Sequence, residues 1–262
     1  MKRSLIEKIP FDLPNSILPF TENAKIYDSS SSPEAKVYFL DKGEGYYLKI
    51  SPKKSLENEA VMTEFFFKKG IGAEVINYIS ENQDFLLTGR VKGEDATHEK
   101  FISEPKKLCD KMAEYLRMLH EIDPSGCPVA DRNESYLALA DKNYTEGIYD
   151  LSLTEKIFTF KSADEAFAVL KNGKAEFRNN VLLHGDYCLP NVMLKDSFEL
   201  SGFIDVGNGG IGDRHIDVFW GTWTLWFNLK TDKYRSRFID AYGRDKINEE
   251  MLRVIAAAEV FG

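Results

Sequence analysis

The sequence predicts an α+β protein of two lobes. Residues 1–90 form a small antiparallel sheet with one helix, and residues 91–262 form a larger, mainly helical lobe. Three observations carry this expectation. Aromatic and β-branched runs with partial alternation crowd into the first third of the chain. Apolar residues recur at helical spacing through most of the remainder. The pattern changes after Gly89, and the join falls near residues 88–93. A chain of 262 residues is long enough for one large domain or two small lobes with a real core.

Taken in order, Ala24-Lys-Ile-Tyr27, Lys36-Val-Tyr-Phe-Leu40 and Tyr46-Tyr-Leu-Lys-Ile50 read as strands, broken by a turn signal at Ser29–Ser32 followed by Pro33. Glu57 to Lys69 reads as a helix with Val61, Phe65 and Phe66 or Phe67 on one face and Gly70 as its stop. Val75 to Ile79 and Phe85 to Thr88 complete the sheet. Pro105 to His120 is strongly amphipathic through Leu108, Met112, Tyr115, Leu116 and Leu119. Tyr136 to Asn143 and Ala163 to Leu170 also have helical spacing. Two short apolar strands follow, at 192–194 and 202–205, and then three helical segments at roughly 213–228, 232–242 and 247–260.

Composition narrows the function. Hydrophobic residues make up 43% and charged residues 29%, the balance of a globular protein rather than a disordered one. Lysine and arginine number 34 against 42 aspartates and glutamates, a net charge of −8. That balance disfavours general nucleic-acid binding, which needs clustered cations. Cys109, Cys127 and Cys188 are odd in number and widely spaced, so neither a disulfide framework nor a structural zinc site is expected, and a cytoplasmic setting fits. The first nineteen residues lack the apolar core of a signal peptide, and no apolar run approaches a membrane span.

The most informative stretch is Leu183-His-Gly-Asp-Tyr-Cys-Leu-Pro-Asn191, followed by Ser201-Gly-Phe-Ile-Asp-Val-Gly207. Asp186 and Asn191 lie five apart in a loop enforced by Gly185 and Pro190, and Asp205 ends an apolar strand. Two carboxylates and a carboxamide on adjacent loops match phosphoryl transfer. One acid orients the nucleophile's proton, and the other oxygens hold Mg²⁺, a hard cation that shares carboxylates with phosphates. Either tripeptide alone is as readily a polar turn. The ordered pair, H-G-D-x-x-x-x-N and then strand-D-x-G, is far more specific.

These motifs resemble the aminoglycoside phosphotransferases of the protein-kinase-like superfamily, most closely the 3'-phosphotransferases, or kanamycin kinases. The likeness spans residues 24–262 in order. It also rests on YLRMLHEID and CP within 115–128, on KVYFL and YYLKI within 36–50, and on AEVF before Gly262. H-G-D-x-x-x-x-N stands where protein kinases carry H-R-D-x-x-x-x-N. The resemblance implies a two-lobed protein-kinase-like fold with its active site in the cleft. It implies transfer of the γ-phosphate of ATP (or GTP), with Mg²⁺, to an aminoglycoside hydroxyl, most closely the 3'-hydroxyl, and hence antibiotic resistance. The enzyme would be cytoplasmic, a monomer or weak dimer, without nucleic-acid or membrane partners.

Residue roles follow from the same resemblance. Asp186 matches the catalytic acid that orients the acceptor hydroxyl, and Asn191 and Asp205 match the two Mg²⁺ ligands. Lys49 matches the lysine that holds the α- and β-phosphates, and Glu59 its ion-pair partner, with Glu57 close by as the other candidate. Tyr47 matches the aromatic residue on the adenine ring. The turn at Ser32-Pro-Glu34 matches the loop over the phosphates, and Thr88 to Gly93, including Arg90, the hinge at the adenine edge. His184 and Asp217 match residues that orient and brace the catalytic loop. Acceptor binding would fall to Glu259 and the terminal carboxylate of Gly262, with Asp150 and Glu155 in an acidic insert.

Other readings compete. Gly207-Asn-Gly-Gly-Ile-Gly212 spells the dinucleotide fingerprint, with Asp232 at the right distance, but only helices follow where a second strand should be. Neither the P-loop nor the nucleophile-elbow motif is present. The chain also departs from the kanamycin-kinase pattern. Trp223, Trp226, Phe227 and Asn228 occupy positions of basic residues and an acidic pair, and Asn208 replaces an arginine. A kinase of another small hydroxylated metabolite therefore stays open, as does a nucleotide-binding pseudokinase, which the intact Lys49, Asp186, Asn191 and Asp205 set disfavours.

Overall fold

The structure, a computed structural model, describes residues 3–30, 35–154 and 156–262. The first strands and helices are β1 (Ser4–Ile6), α1 (Leu18–Thr21), β2 (Lys25–Asp28), β3 (Lys36–Asp41), β4 (Tyr46–Pro52) and α2 (Glu57–Lys68). Next come β5 (Val75–Ser80), β6 (Gln83–Gly89), β7 (Glu94–Asp95), α3 (Glu99–Ile102), α4 (Pro105–Glu121), α5 (Arg132–Glu146) and α6 (Ala163–Gly173). The chain closes with β8 (Val181–Leu183), β9 (Val192–Leu194), β10 (Leu200–Phe203), β11 (Gly210–Gly212), α7 (His215–Leu229), α8 (Tyr234–Tyr242) and α9 (Glu249–Glu259). Residues up to Asp95 together with Pro190–Gly207 make one compact unit, and Ala96–Leu189 with Asn208–Gly262 make the other. The first unit thus recruits a second, distant stretch of chain.

In the first unit, six strands form an antiparallel sheet in the order β1-β2-β3-β4-β6-β5. Side chains alternate across its faces. Leu48 and Ile50 of β4 join Tyr38, Leu40, Phe85 and Leu87 in one buried cluster with Ile9 and Ile17. The opposite face carries Leu86, which packs on Leu56 and Ala60 at the start of α2. Lys49, paired with Leu86 in the β4–β6 register, shares that face. Asp84 fixes the entry to α2, because its carboxylate accepts from Lys54 N and Leu56 N, both at 2.8 Å, and from Tyr78 OH at 3.0 Å. The helix stands at the expected place but turned. Met62, Thr63, Phe65 and Phe66 are buried with Ala60, whereas Val61 and Phe67 are exposed. The reason lies beyond the helix: Phe66 meets Phe203 edge-on at 6.2 Å and packs over Gly72, contacts that set its rotation. A three-stranded sheet, β10-β9-β7, completes the unit.

The second unit is helical around a small antiparallel pair, β8 and β11. Its core is built from Leu108, Met112 and Leu116 of α4, Phe219 and Leu225 of α7, Phe238 of α8, and Ile255 of α9. The helices start where capping chemistry allows. Asp131 caps α5 through Glu134 N, Ser162 caps α6 through Glu165 N, and Asn248 caps α9 through Glu250 N. Gly147, with φ of 70°, ends α5 in the left-handed turn that glycine adopts without cost. Residues 210–212 form the strand β11 paired with β8, which removes the dinucleotide-turn reading of the glycine run. Among the described residues no helix is long and apolar enough to cross a membrane.

Candidate active site

On the first unit, alternation along β4 turns Lys49 toward α2, where its ammonium donates to Glu59 Oε2 at 2.7 Å and to Asp205 Oδ1 at 2.8 Å. Of the two candidate partners, Glu59 and not Glu57 makes this contact. Burial pulls the Lys49 ammonium down, but the charges of Asp205 and Glu59 outweigh it and hold the group above its ordinary value. For Glu59, burial and the nearby Asp205 push its carboxyl up against the pull of Lys49. One ammonium serves two carboxylates. Glycine at 207 permits this approach, since a Cβ there would come within 3.2 Å of Glu59 Cβ, and the Gly207 carbonyl accepts from the Asn58 side chain.

Asp205 follows β10 with a left-handed backbone, φ 58°, a conformation aspartate tolerates better than most residues. Its side chain is 52% exposed although one oxygen is on Lys49. Asn191, the last residue of the short 3-10 turn before β9, is tied to the same hairpin through its carbonyl, which accepts from Ile204 N at 3.0 Å. A carboxylate and a carboxamide on one hairpin supply the oxygen donors that a hard divalent cation takes alongside phosphate and water. The residues present therefore fit Mg²⁺.

On the second unit, β8 leads into His184-Gly185-Asp186. Asp217 is fully buried and its carboxylate accepts from His184 N and Gly185 N, both at 2.8 Å. The brace expected of Asp217 is thus made through two backbone amides, each such bond to a charged group being worth about 1.5–3 kcal/mol. His184 Nδ1 accepts from Asp186 N at 3.3 Å. Position 185 admits only glycine: φ is +84°, and a Cβ would lie 1.8 Å from the Asn208 carbonyl oxygen.

A cavity of about 270 Å³ opens beside this loop, and Asp186, Arg132, Tyr136, Trp220, Glu259 and Gly262 are on its walls. Glu259 Oε1 accepts from Tyr136 OH at 2.8 Å and from Trp220 Nε1 at 2.9 Å. Burial pushes this carboxyl up to about 7, with the Asp186 charge adding to the rise and the two hydrogen bonds and Arg132 only partly opposing it. Arg132 Nε donates to the Asn208 carbonyl at 2.8 Å, and its other nitrogens to Ser135 Oγ at 2.6 Å and Asn208 Oδ1 at 3.2 Å. Its guanidinium is thereby pinned against the carbonyl that crowds Gly185.

The sequence profile of the phosphotransferase enzyme family, APH, matches residues 29–254. The chain is 48% identical to a probable aminoglycoside 3'-phosphotransferase of Lactococcus lactis subsp. lactis (strain IL1403), over 98% of this chain and 96% of that protein. The chain belongs to the phosphotransferase enzyme family. It is also 29% identical to an aminoglycoside 3'-phosphotransferase of Niallia circulans, over 84% of this chain and 85% of that protein. The fold matches the crystal structure of an aminoglycoside-3'-phosphotransferase of type VIII with a TM-score of 0.77 at 22% identity, covering 95% of this chain and all of that one. The kinase-like fold and the kinship with 3'-phosphotransferases expected from the motifs are therefore found.

The remaining expected site residues of this phosphotransferase fall as follows. Tyr47 and Thr88 are partners across β4 and β6. Tyr47 lies 5.1 Å from the Phe39 ring, and its hydroxyl accepts from Arg3. Arg90 is exposed and its backbone N–H donates to Gly45 O. Ser32, with its turn, and Glu155 lie outside the described residues. Asp150 is not on the cavity wall. It is exposed and caps the turn Leu151–Leu153, and its carboxyl is held low by hydrogen bonds from Ser152. Cys188 is a loop thiol that burial and the Asp186 charge push far up, out of nucleophile range. Of the tryptophan-rich segment, only Trp220 reaches the cavity. Trp223 donates to Leu153 O and stacks on Phe227 at 4.8 Å, and Asn228 turns back to Thr224 O. Sequence reasoning missed Arg132, Tyr136 and Trp220. Arg132, directly after the capping Asp131, is the one with a local signal, a cation at the first position of a helix where acids are favoured.

Proposed function

We propose that this phosphotransferase moves the γ-phosphate of ATP or GTP to a hydroxyl of an aminoglycoside, the 3'-hydroxyl by kinship with its relatives. The observation that carries the reading is the Lys49 ammonium held between Glu59 and Asp205, on the same unit as Asn191. The second unit, by itself, carries the braced Asp186 loop and a cavity walled by Asp186 and Glu259. Lys49 is positioned and kept charged by Asp205 and Glu59 to hold the nucleotide's phosphates. Asn191 and Asp205 would hold Mg²⁺, which when bound offsets the charge of the triphosphate. Asp186 accepts a hydrogen bond from the acceptor hydroxyl and aligns it for in-line attack, a task of position more than of basicity. Asp217 keeps Asp186 in place through the loop backbone. Glu259 meets an acceptor ammonium in its ionised form, and cation binding draws its proton off.

A second reading, a kinase of a neutral hydroxylated metabolite, is favoured by Arg132, whose guanidinium shares the cavity with Asp186 and Glu259 and repels an ammonium placed beside it. A coupled ADP-release assay over a panel of aminoglycosides and simple sugars separates the two. Release with kanamycin-type drugs, and resistance in bacteria expressing the chain, are expected. Release with sugars alone moves the acceptor and leaves the phosphoryl-transfer residues in place.

A further inference from the structure

A second cavity of the helical unit shares no wall residue with the Asp186 cavity. It measures about 320 Å³ and is lined by Arg117, His120, Glu121, Arg214, Tyr242 and Lys246. Three cations face one carboxylate, in a chain whose net charge is −8. Glu121 is shared by Lys246 Nζ at 3.4 Å and Arg117 Nε at 4.0 Å, so it offsets only one of the positive charges. Arg117 Nη1 donates to Ala241 O at 3.4 Å and Arg214 Nη1 to Tyr242 OH at 3.3 Å. A guanidinium carries five N–H donors in a planar fork, and these contacts engage only part of each.

The floor of this cavity connects to the catalytic loop. Tyr242 OH accepts from Arg214 and donates to His120 Nδ1 at 2.8 Å. That assignment leaves the ring proton of His120 on Nε2, which donates to Asp217 Oδ2 at 3.1 Å. Burial holds this imidazole below its ordinary value, and hence neutral. Asp217 is the carboxylate that accepts from His184 N and Gly185 N. The donors run one way from the cationic surface cavity to Asp217, where they meet the two amide donors of the loop that carries Asp186.

We propose that this cavity binds a small phosphate anion, inorganic phosphate or a phosphate monoester, through Arg117, Arg214 and Lys246, and that its occupancy is felt at the catalytic loop through Tyr242, His120 and Asp217. Two planar forks and an ammonium suit the several oxygens of a phosphate dianion better than a single carboxylate, which would leave positive charge unanswered. An anion on the remaining N–H groups of Arg214 offsets the guanidinium's charge and so weakens its hydrogen bond to Tyr242, the first link of the chain.

The test uses the whole chain with saturating Mg²⁺ and a non-hydrolysable ATP analogue, so that phosphate does not register at Lys49. The chain has four histidines, which makes ¹⁵N-histidine spectra assignable. Titration with inorganic phosphate should move the His120 signals saturably. Arg117→Gln combined with Lys246→Gln should raise the apparent Kd by about a hundredfold, about tenfold for each of the two charged contacts removed. Arg214→Gln should abolish the His120 response. Glycerol 2-phosphate in parallel tells a monoester from the free anion. Silence at His120 with both anions, or an unchanged midpoint in the Arg117→Gln, Lys246→Gln variant, overturns the site. Should Arg214→Gln fail to fold, the double variant alone decides.

Discussion

Glu59 and Glu259 are the same residue type in two regions that treat it differently. Glu259 is buried and Glu59 half-buried, and removal from water pushes both carboxyl groups up. Glu59 is answered by a full ammonium at 2.7 Å, in a cluster that remains partly open to solvent at Asp205. Glu259 accepts from a phenol and an indole N–H, both neutral, with the Arg132 cation acting on it more weakly, and burial pushes it up to about 7. A buried carboxylate is cheap to keep ionised only when a cation faces it directly. The Lys49 cluster is therefore a standing charge arrangement suited to phosphates. The Glu259 wall is an acid with no cation held directly against it, which under the proposed function leaves its charge to be called out by an acceptor ammonium.

The largest expected effect falls on Asp186, the acid proposed to meet the acceptor hydroxyl, rather than on either glutamate. Asp186→Asn should lower turnover by roughly 10²–10⁴-fold and leave nucleotide affinity within about a few-fold, because a positioned base acts on the acceptor hydroxyl. Steady-state kinetics with calorimetry for the nucleotide check this, and near-normal turnover would remove Asp186 from the mechanism.

Breaking the first region comes next. Lys49→Met leaves Glu59 buried without its counter-charge and should cost about 3–5 kcal/mol of stability. Changing Glu59 to Met as well should recover most of that loss in urea denaturation while activity stays absent. If the single and double variants unfold at the same denaturant concentration, the ion pair is not what makes Glu59 tolerable.

In the second region, Arg132→Gln loosens the hold on the Asn208 carbonyl that packs against Gly185. The loss of one charged hydrogen bond, about 1.5–3 kcal/mol, should appear as a drop in kcat of about tenfold or more with nucleotide KM unchanged. A variant that changes only the acceptor KM would make Arg132 a pocket charge and not a positioning residue.

The smallest effect sharpens the comparison most. Glu259 has a folded value of about 7 against an ordinary 4.5. Between those values the folded protein keeps a proton that the unfolded chain has lost, so this group's contribution to stability falls as pH rises through that window. Glu259→Gln removes the dependence. It should melt with the wild type near about pH 5 and above it near about pH 8, as read by calorimetry. Under the aminoglycoside reading, the acceptor KM of the wild type falls over the same rise in pH and that of the variant does not. Parallel melting curves at both pH values would place the Glu259 titration elsewhere.

Local features of this chain were legible before the fold was known. Alternation through Leu48, Lys49 and Ile50 sets Lys49 apart from the apolar face, because side-chain direction along a strand follows from backbone geometry alone. Asp186 and Asn191 are close in sequence and Gly185 and Pro190 keep helix and strand out of the stretch, although a short 3-10 turn forms at Leu189–Asn191 and the two residues belong to different units. Shorter strands escaped: β8 and β11 have three residues each, and β11 is two-thirds glycine, so no propensity marks them. The rotation of α2 escaped as well, since contacts with Gly72 and Phe203, and not the helix's own spacing, decide which side is buried.

What the sequence by itself determined, then, is the motif order H-G-D-x-x-x-x-N and strand-D-x-G, carrying Asp186, Asn191 and Asp205, and through the resemblance those motifs carry, the kinship with phosphotransferases. Those motifs are written in neighbours a few residues apart, whereas Lys49 came from the resemblance and not from its own surroundings. Only the tertiary structure decided that Glu59 and not Glu57 meets Lys49, that Asp150 caps a turn off the cavity wall, and that Glu259 is held by Tyr136 and Trp220. Those last contacts join residues 123 and 39 positions apart. No local period encodes such a meeting. It depends on how α5, α7 and α9 pack, and the protonation of Glu259 depends in turn on how completely that packing excludes water.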